Sequence, residues 1–103
     1  MLQKALDSLV KELAGLGALR IILFGSFARD DVDVSSDLDL LVIMPYEKSG
    51  RQWRNLIYDT VDRIRATDLI IFNEEELREN LPSSTFLRKA MKGRVVYEKI
   101  RQG

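Results

Sequence analysis

Two short apolar runs constrain what this chain can fold into, and the distance between them constrains it most. Ala18–Phe24 and Asp37–Met44 each read as a strand, and twelve residues lie between Phe24 and Asp37. A parallel pair needs a crossover of roughly a dozen residues or more, usually a helix, to bring the chain back to the same end of the sheet. The link here is marginal for that and sufficient for a loop with a helical turn, so a mixed sheet is expected rather than an all-parallel one. The first run shows little alternation, as expected for a strand covered on both faces. The second alternates acidic and apolar residues at Asp37, Leu38, Asp39 and Leu40, then stays apolar to Met44, with Pro45 closing it. That strand starts wet and ends buried.

Helical periodicity surrounds these strands. Leu2, Leu6, Leu9, Val10, Leu13 and Leu16 recur at three- and four-residue spacing and form one stripe of a helix ended by Gly15 and Gly17. From about Glu47 to Arg65, Trp53, Leu56, Ile57, Thr60, Val61 and Ile64 repeat with the same period, with charged residues largely opposite. Thr67–Phe72 is a third strand, and Asn73 with Glu76 three residues later spells a capping box that opens a short helix. Pro82 separates it from a helix through Phe86, Leu87, Ala90 and Met91, capped by Ser83 or Ser84 and stopped by Gly93 before a last strand, Arg94–Lys99. The order predicts an α/β (α+β) domain, a small mixed sheet of about four strands packed with helices. Residues 1–103 have the size of one domain, with no repeat or linker.

The chain has no cysteine and no histidine. Disulfides, zinc sites, and Ser-His-Asp or Cys-His catalysis are therefore excluded, and a metal site would have to be an oxygen site. No apolar run approaches the ~20 residues that span a bilayer, and no leader pattern opens the sequence. A cytoplasmic protein without a membrane partner is expected. Sixteen basic residues balance sixteen acidic ones, but unevenly. Arg29–Asp39 holds five aspartates against one arginine, a net of −4, and Phe86–Gly103 holds six basic residues against one acidic, a net of +5.

The chemistry-bearing stretch is Phe24-Gly25-Ser26-Phe27-Ala28-Arg29 followed by Ser36-Asp37-Leu38-Asp39. A Gly-Ser turn between a buried strand and a helix supplies free N–H groups and a hydroxyl, which suit a phosphate, although such a turn alone is usually only a turn. Asp37 and Asp39, two apart on a strand, project from one face, roughly 6.5–7 Å apart at Cα. Carboxylates so placed can converge on Mg²⁺, whereas an isolated Asp-x-Asp is more often a solubilising strand end. Asp68 opens the third strand, and if that strand neighbours the second, three acids beside a phosphate turn outline a two-metal phosphoryl-transfer site. Asp62 or Asp59 is the alternative third acid.

Gly25-Ser26, ten intervening residues and Asp37-Leu38-Asp39 together resemble the signature of the minimal nucleotidyltransferases of the polymerase-beta-type superfamily. The resemblance covers nearly the whole chain, including the ending with Gly93 and Tyr97-Glu98. It implies a nucleotidyltransferase fold in which Gly25 and Ser26 bind the triphosphate and Asp37, Asp39 and Asp68 are the catalytic, metal-binding acids for two Mg²⁺ ions. Arg29 matches an arginine common in the motif, where it either neutralises phosphate or forms a structural ion pair. The family often has Gly after that arginine. Asp30 and Asp31 stand here instead, and with Asp33 they read as solvated loop charges.

The resemblance further implies transfer of AMP from ATP to a hydroxyl, with pyrophosphate leaving. Minimal members are commonly type VII antitoxins that modify a tyrosine of a partner HEPN ribonuclease toxin, and a chain this small would need its acceptor brought by a partner. The other readings are a non-catalytic antitoxin that neutralises its partner by docking, and a nucleotidyltransferase with another acceptor. Nucleic acid is disfavoured as a partner. The basic residues Arg88, Lys89, Lys92, Arg94, Lys99 and Arg101 read as a solvated face with few stacking partners in a neutral chain.

Overall fold

A computed structural model describes residues 2–24, 38–61 and 67–99, excluding the side chains of residues 2–5, 38, 67 and 68. The elements are α1 (Leu2–Gly15), β1 (Arg20–Phe24), β2 (Leu38–Met44), α2 (Gly50–Thr60), β3 (Thr67–Asn73), α3 (Glu74–Asn80), a 3-10 turn at Leu81–Ser83, α4 (Thr85–Met91) and β4 (Arg94–Glu98). The short helix expected between Phe24 and Asp37 falls outside the described residues.

Helix α1 stops where its glycines predict. The Gly17 N–H donates to the Ala14 carbonyl and the Ala18 N–H to the Leu13 carbonyl, while Gly17 takes a φ of 112°. These are the paired bonds of a Schellman cap, which needs a left-handed residue that glycine supplies without a Cβ penalty. The turn drops Ala18 into the core and delivers the chain into β1.

The sheet order is β3-β2-β1-β4. Strand β1 runs antiparallel to both β2 and β4, and β2 runs parallel to β3. The sheet is therefore mixed, as the short link between β1 and β2 led one to expect. The parallel pair is the one joined through α2, a connection long enough to cross over.

Each sheet face has its own core. Leu6, Leu9 and Leu13 of α1 and Trp53 and Ile57 of α2 pack with Ile21, Leu23, Leu40, Val42, Met44 and Leu69 on one face. Ile22 and Leu41 meet Leu87 and Ala90 of α4 on the other, with Phe24, Ile70, Phe72 and Leu77 around them. The alternation of β1 and β2 assigns these sets, since successive strand residues point to opposite faces. Each fully buried aliphatic side chain contributes about 1.5–3 kcal/mol over its exposed state.

Helix α2 is shorter than its apolar period suggests. A capping box sets its start, with Ser49 Oγ accepting from Gln52 N–H and Gln52 Oε1 accepting from Ser49 N–H. Its last residue is Thr60. Val61 is already extended, at φ −97° and ψ 110°, yet is buried. Two β-branched residues end the helix while Val61 still reaches the core from an extended backbone. Ile64 and Arg65, which the periodicity placed in this helix, lie outside the described residues. The capping box at Asn73 and Glu76 opens α3 as expected, and of the two candidate serines it is Ser84 that caps α4.

Among the described residues, no helix is long and apolar enough to cross a membrane.

Candidate active site

The wet end of β2 is the centre of the candidate site. Asp39 is half-buried, and Leu40 to Met44 beyond it are buried. Strand alternation puts Asp39 with Leu41, on the face that carries α4, while Leu40, Val42 and Met44 anchor the strand to α1 and α2. A chain of apolar anchors thus fixes the backbone that holds the carboxylate.

Register brings two further positions to Asp39. Phe24, the last residue of β1, lies directly opposite it in the antiparallel pair, and Asp68 lies beside it in the parallel pair with β3. Neighbouring strands run ~4.8 Å apart, so the backbones at 39 and 68 are adjacent. The condition set by the sequence for a third acid, that the third strand neighbour the second, is met. Of Asp68 only the backbone is described. Asp59, the alternative on α2, is exposed, and Asp62 lies outside the described residues.

Gly25, Ser26, Arg29 and Asp37 also lie outside the described residues. In the sequence, Gly25-Ser26 directly follows Phe24, the last residue of β1, and Asp37 directly precedes Leu38, the first residue of β2. Among the described residues no three Asp or Glu side chains cluster as a metal site. The donors that the sequence and the register offer near Asp39 are carboxylate oxygens, which suit a hard cation such as Mg²⁺ and no soft metal.

Aromatic and cationic side chains complete the surroundings. Phe24 meets Phe86 of α4 edge to face, with ring centroids 5.6 Å apart and planes at 82°. Phe86 remains 49% exposed, so much of its ring faces solvent beside the site. A groove runs from Phe24, Asp39 and Phe86 along β3 to Arg51, Arg54 and Tyr58 on α2. The guanidinium of Arg54 lies over the Tyr58 ring, 5.6 Å from its centroid.

The sequence pattern does not group these residues: Phe86 sits at helical spacing with Leu87 and Ala90 and reads as core, Arg51 and Arg54 read as a polar helix face, and Tyr58 reads as a core or helix-face residue with a partner-facing role as the alternative. A long-range network holds the far wall of the groove. One Glu76 carboxylate oxygen accepts from the N–H groups of Gly50 (2.9 Å) and Asn73 (3.0 Å), and the Asn73 amide donates to the Lys48 carbonyl (2.9 Å). The starts of α2 and α3 are thereby tied together across the end of β3.

Comparison with known proteins bears on this arrangement. The family model for the nucleotidyltransferase domain matches residues 2–97. A crystal structure solved as a "putative nucleotidyltransferase from Sulfolobus solfataricus" superposes with a TM-score of 0.54 at 24% identity, covering 91% of this chain and 86% of that one. At that identity the likeness concerns the fold. No curated protein matches significantly.

Proposed function

The chain belongs to the nucleotidyltransferase domain family, and from that premise we propose that it is a minimal nucleotidyltransferase that transfers AMP from ATP to a hydroxyl group, a tyrosine of a partner HEPN toxin, and so acts as an antitoxin in the cytoplasm. The observation that carries the catalytic part of this reading is the register of β2 and β3, which sets Asp68 beside Asp39.

The reaction exchanges one bond for another at phosphorus. The acceptor oxygen forms a bond to the α-phosphorus of ATP, the bond from that phosphorus to the bridging oxygen breaks, and pyrophosphate leaves. The acceptor's proton passes to Asp68, the carboxylate of the outer strand. Gly25 and Ser26, at the open end of β1, hold the triphosphate through backbone N–H groups and the hydroxyl. Arg29 neutralises phosphate charge. Asp37 and Asp39, with Asp68, are the residues that would hold Mg²⁺, which when bound neutralises the charge developing on the phosphate oxygens. The strands do the rest by positioning, since this chemistry depends on in-line geometry and electrostatics more than on covalent help. No histidine is needed.

Catalysis and docking separate in one experiment. ATP labelled at the α-phosphate is incubated with Mg²⁺, the protein and a co-purified partner, for the wild type and for a variant with Asp37→Ala and Asp39→Ala. The proposal requires label on the partner with the wild type and none with the variant. Neutralisation of the partner that survives in the variant would instead make the protein a docking module.

A further inference from the structure

We propose that Phe86 is the stacking platform for the base of the nucleotide, and that it favours a purine over a pyrimidine. This rests on the nucleotidyl-transfer reading above and adds to it the residue that holds the base.

The register and one ring contact place an aromatic face near Asp39. Phe24 and Asp39 lie directly opposite each other in the antiparallel pair of β1 and β2. Residues so paired leave the sheet on the same side, with Cβ atoms about 4.5–5.5 Å apart. Phe86 meets Phe24 with ring centroids 5.6 Å apart and planes at 82°. In an edge-to-face pair the partner covers at most one face of a ring, so Phe86 keeps at least one face open to a planar group. Its 49% exposure agrees, and Phe24, Asp39 and Phe86 line one groove. A half-exposed phenylalanine by itself is ordinary on a protein surface. Its place beside Asp39 is what distinguishes this one.

Helix α4 holds the ring there. Leu87 and Ala90, next to Phe86 and one turn on, are buried with Ile22 and Leu41. The Ser84 hydroxyl accepts from the Leu87 N–H at 3.1 Å, and the Arg88 guanidinium donates to the Pro82 carbonyl at 2.7 Å. A Cβ at Gly93 would stand 2.5 Å from the Leu23 carbonyl oxygen, so the chain leaving α4 lies directly on β1. A ring fixed by its helix and by Phe24 offers a stacking face with little left to order on binding.

The separation selects the base among the flat groups of the reaction. Cross-strand spacing and ring contact together set Phe86 roughly 10 Å from Asp39, which in the reading above works at the α-phosphate. One ribose joins the α-phosphate of a nucleotide to its base, a span of the same order. A tyrosine acceptor keeps its ring next to its own reacting oxygen, closer to the phosphorus than Phe86 stands. Stacking reads the face of a base and not its edge, so every base is accepted and the larger purine face gains more contact.

The test compares the wild type with Phe86→Ala, Phe86→Leu and Phe86→Trp in titrations with ATP, CTP and inorganic tripolyphosphate, each with Mg²⁺. Tripolyphosphate carries the phosphates without a base. The wild type is expected to bind ATP on the order of ten-fold more tightly than tripolyphosphate, and more tightly than CTP. Phe86→Ala and Phe86→Leu should lose that margin and bind tripolyphosphate as the wild type does. Phe86→Trp should keep the margin, its added indole emission quenched by ATP and not by tripolyphosphate. Leucine retains an apolar contact with Phe24, and cooperative urea unfolding checks that each variant is folded. A structural role alone would weaken ATP and tripolyphosphate together, or neither, and either result would overturn the proposal. CTP bound as tightly as ATP, or a raised KM for the acceptor with ATP affinity intact, would overturn it as well. A wild type that binds ATP and tripolyphosphate equally overturns it and leaves the nucleotidyl-transfer reading standing. A wild type that binds neither removes that reading and the proposal with it.

Discussion

Asp39 concentrates the functional account in one side chain. It is held by a strand whose next five residues are buried, so the strand itself should survive its substitution while activity is lost. Asp39→Asn is expected to lower AMP transfer by on the order of 100-fold or more while the variant still unfolds in urea as one cooperative transition. Trp53 behaves in the opposite way. Its indole N–H donates to the Pro45 carbonyl at 2.8 Å, and the Lys48 ammonium lies 4.8 Å from its ring centroid. Trp53→Phe keeps the ring in the core but loses the donor, and should destabilise by about 1–2 kcal/mol in urea unfolding. Trp53 was legible as a core residue from its spacing alone. Its bond to Pro45 was not, because the partner is a backbone carbonyl at the end of another element.

Among the elements, the join between α2 and α3 is the most exposed to single changes. Glu76 accepts from both Gly50 and Asn73, so Glu76→Ala leaves two helix-start N–H groups without that partner. A loss of about 1–3 kcal/mol is expected in the same unfolding assay. At Gly50 a Cβ would stand 2.6 Å from Glu76 Oε1 and 2.8 Å from the Ile71 carbonyl oxygen. Gly50→Ala must therefore shift the start of α2 away from β3, and should destabilise at least as much as the loss of Glu76. The capping box of α3 was legible because Asn73 and Glu76 fall at the required spacing directly after an apolar run. The equivalent Ser49-x-x-Gln52 box at α2 was hidden by an apolar period that runs on to Ile64 and draws the helix longer at both ends. Strand pairing was legible only in part. The length of the link between β1 and β2 favoured a mixed sheet, whereas the neighbouring of β2 and β3, on which Asp68 depends, is a tertiary fact. So is the groove, whose arginines, Glu76 and exposed Phe86 come from elements far apart in sequence.

At the scale of the whole molecule, the sheet with a core on each face is a frame that carries Asp39 near one strand terminus. A ligand held there by the native state alone raises its stability by mass action. MgATP at about 100 times its dissociation constant should add about 2.7 kcal/mol and raise the melting temperature by several degrees. The gain should vanish in the variant with Asp37→Ala and Asp39→Ala. The central claim is tested most directly by incubating the protein with ATP and Mg²⁺, alone and with a co-purified partner, and reading every chain by intact mass and peptide mapping. The account predicts AMP on a hydroxyl of the partner and release of pyrophosphate, both lost with Asp39→Ala. Partner and protein that both remain free of nucleotide would contradict it.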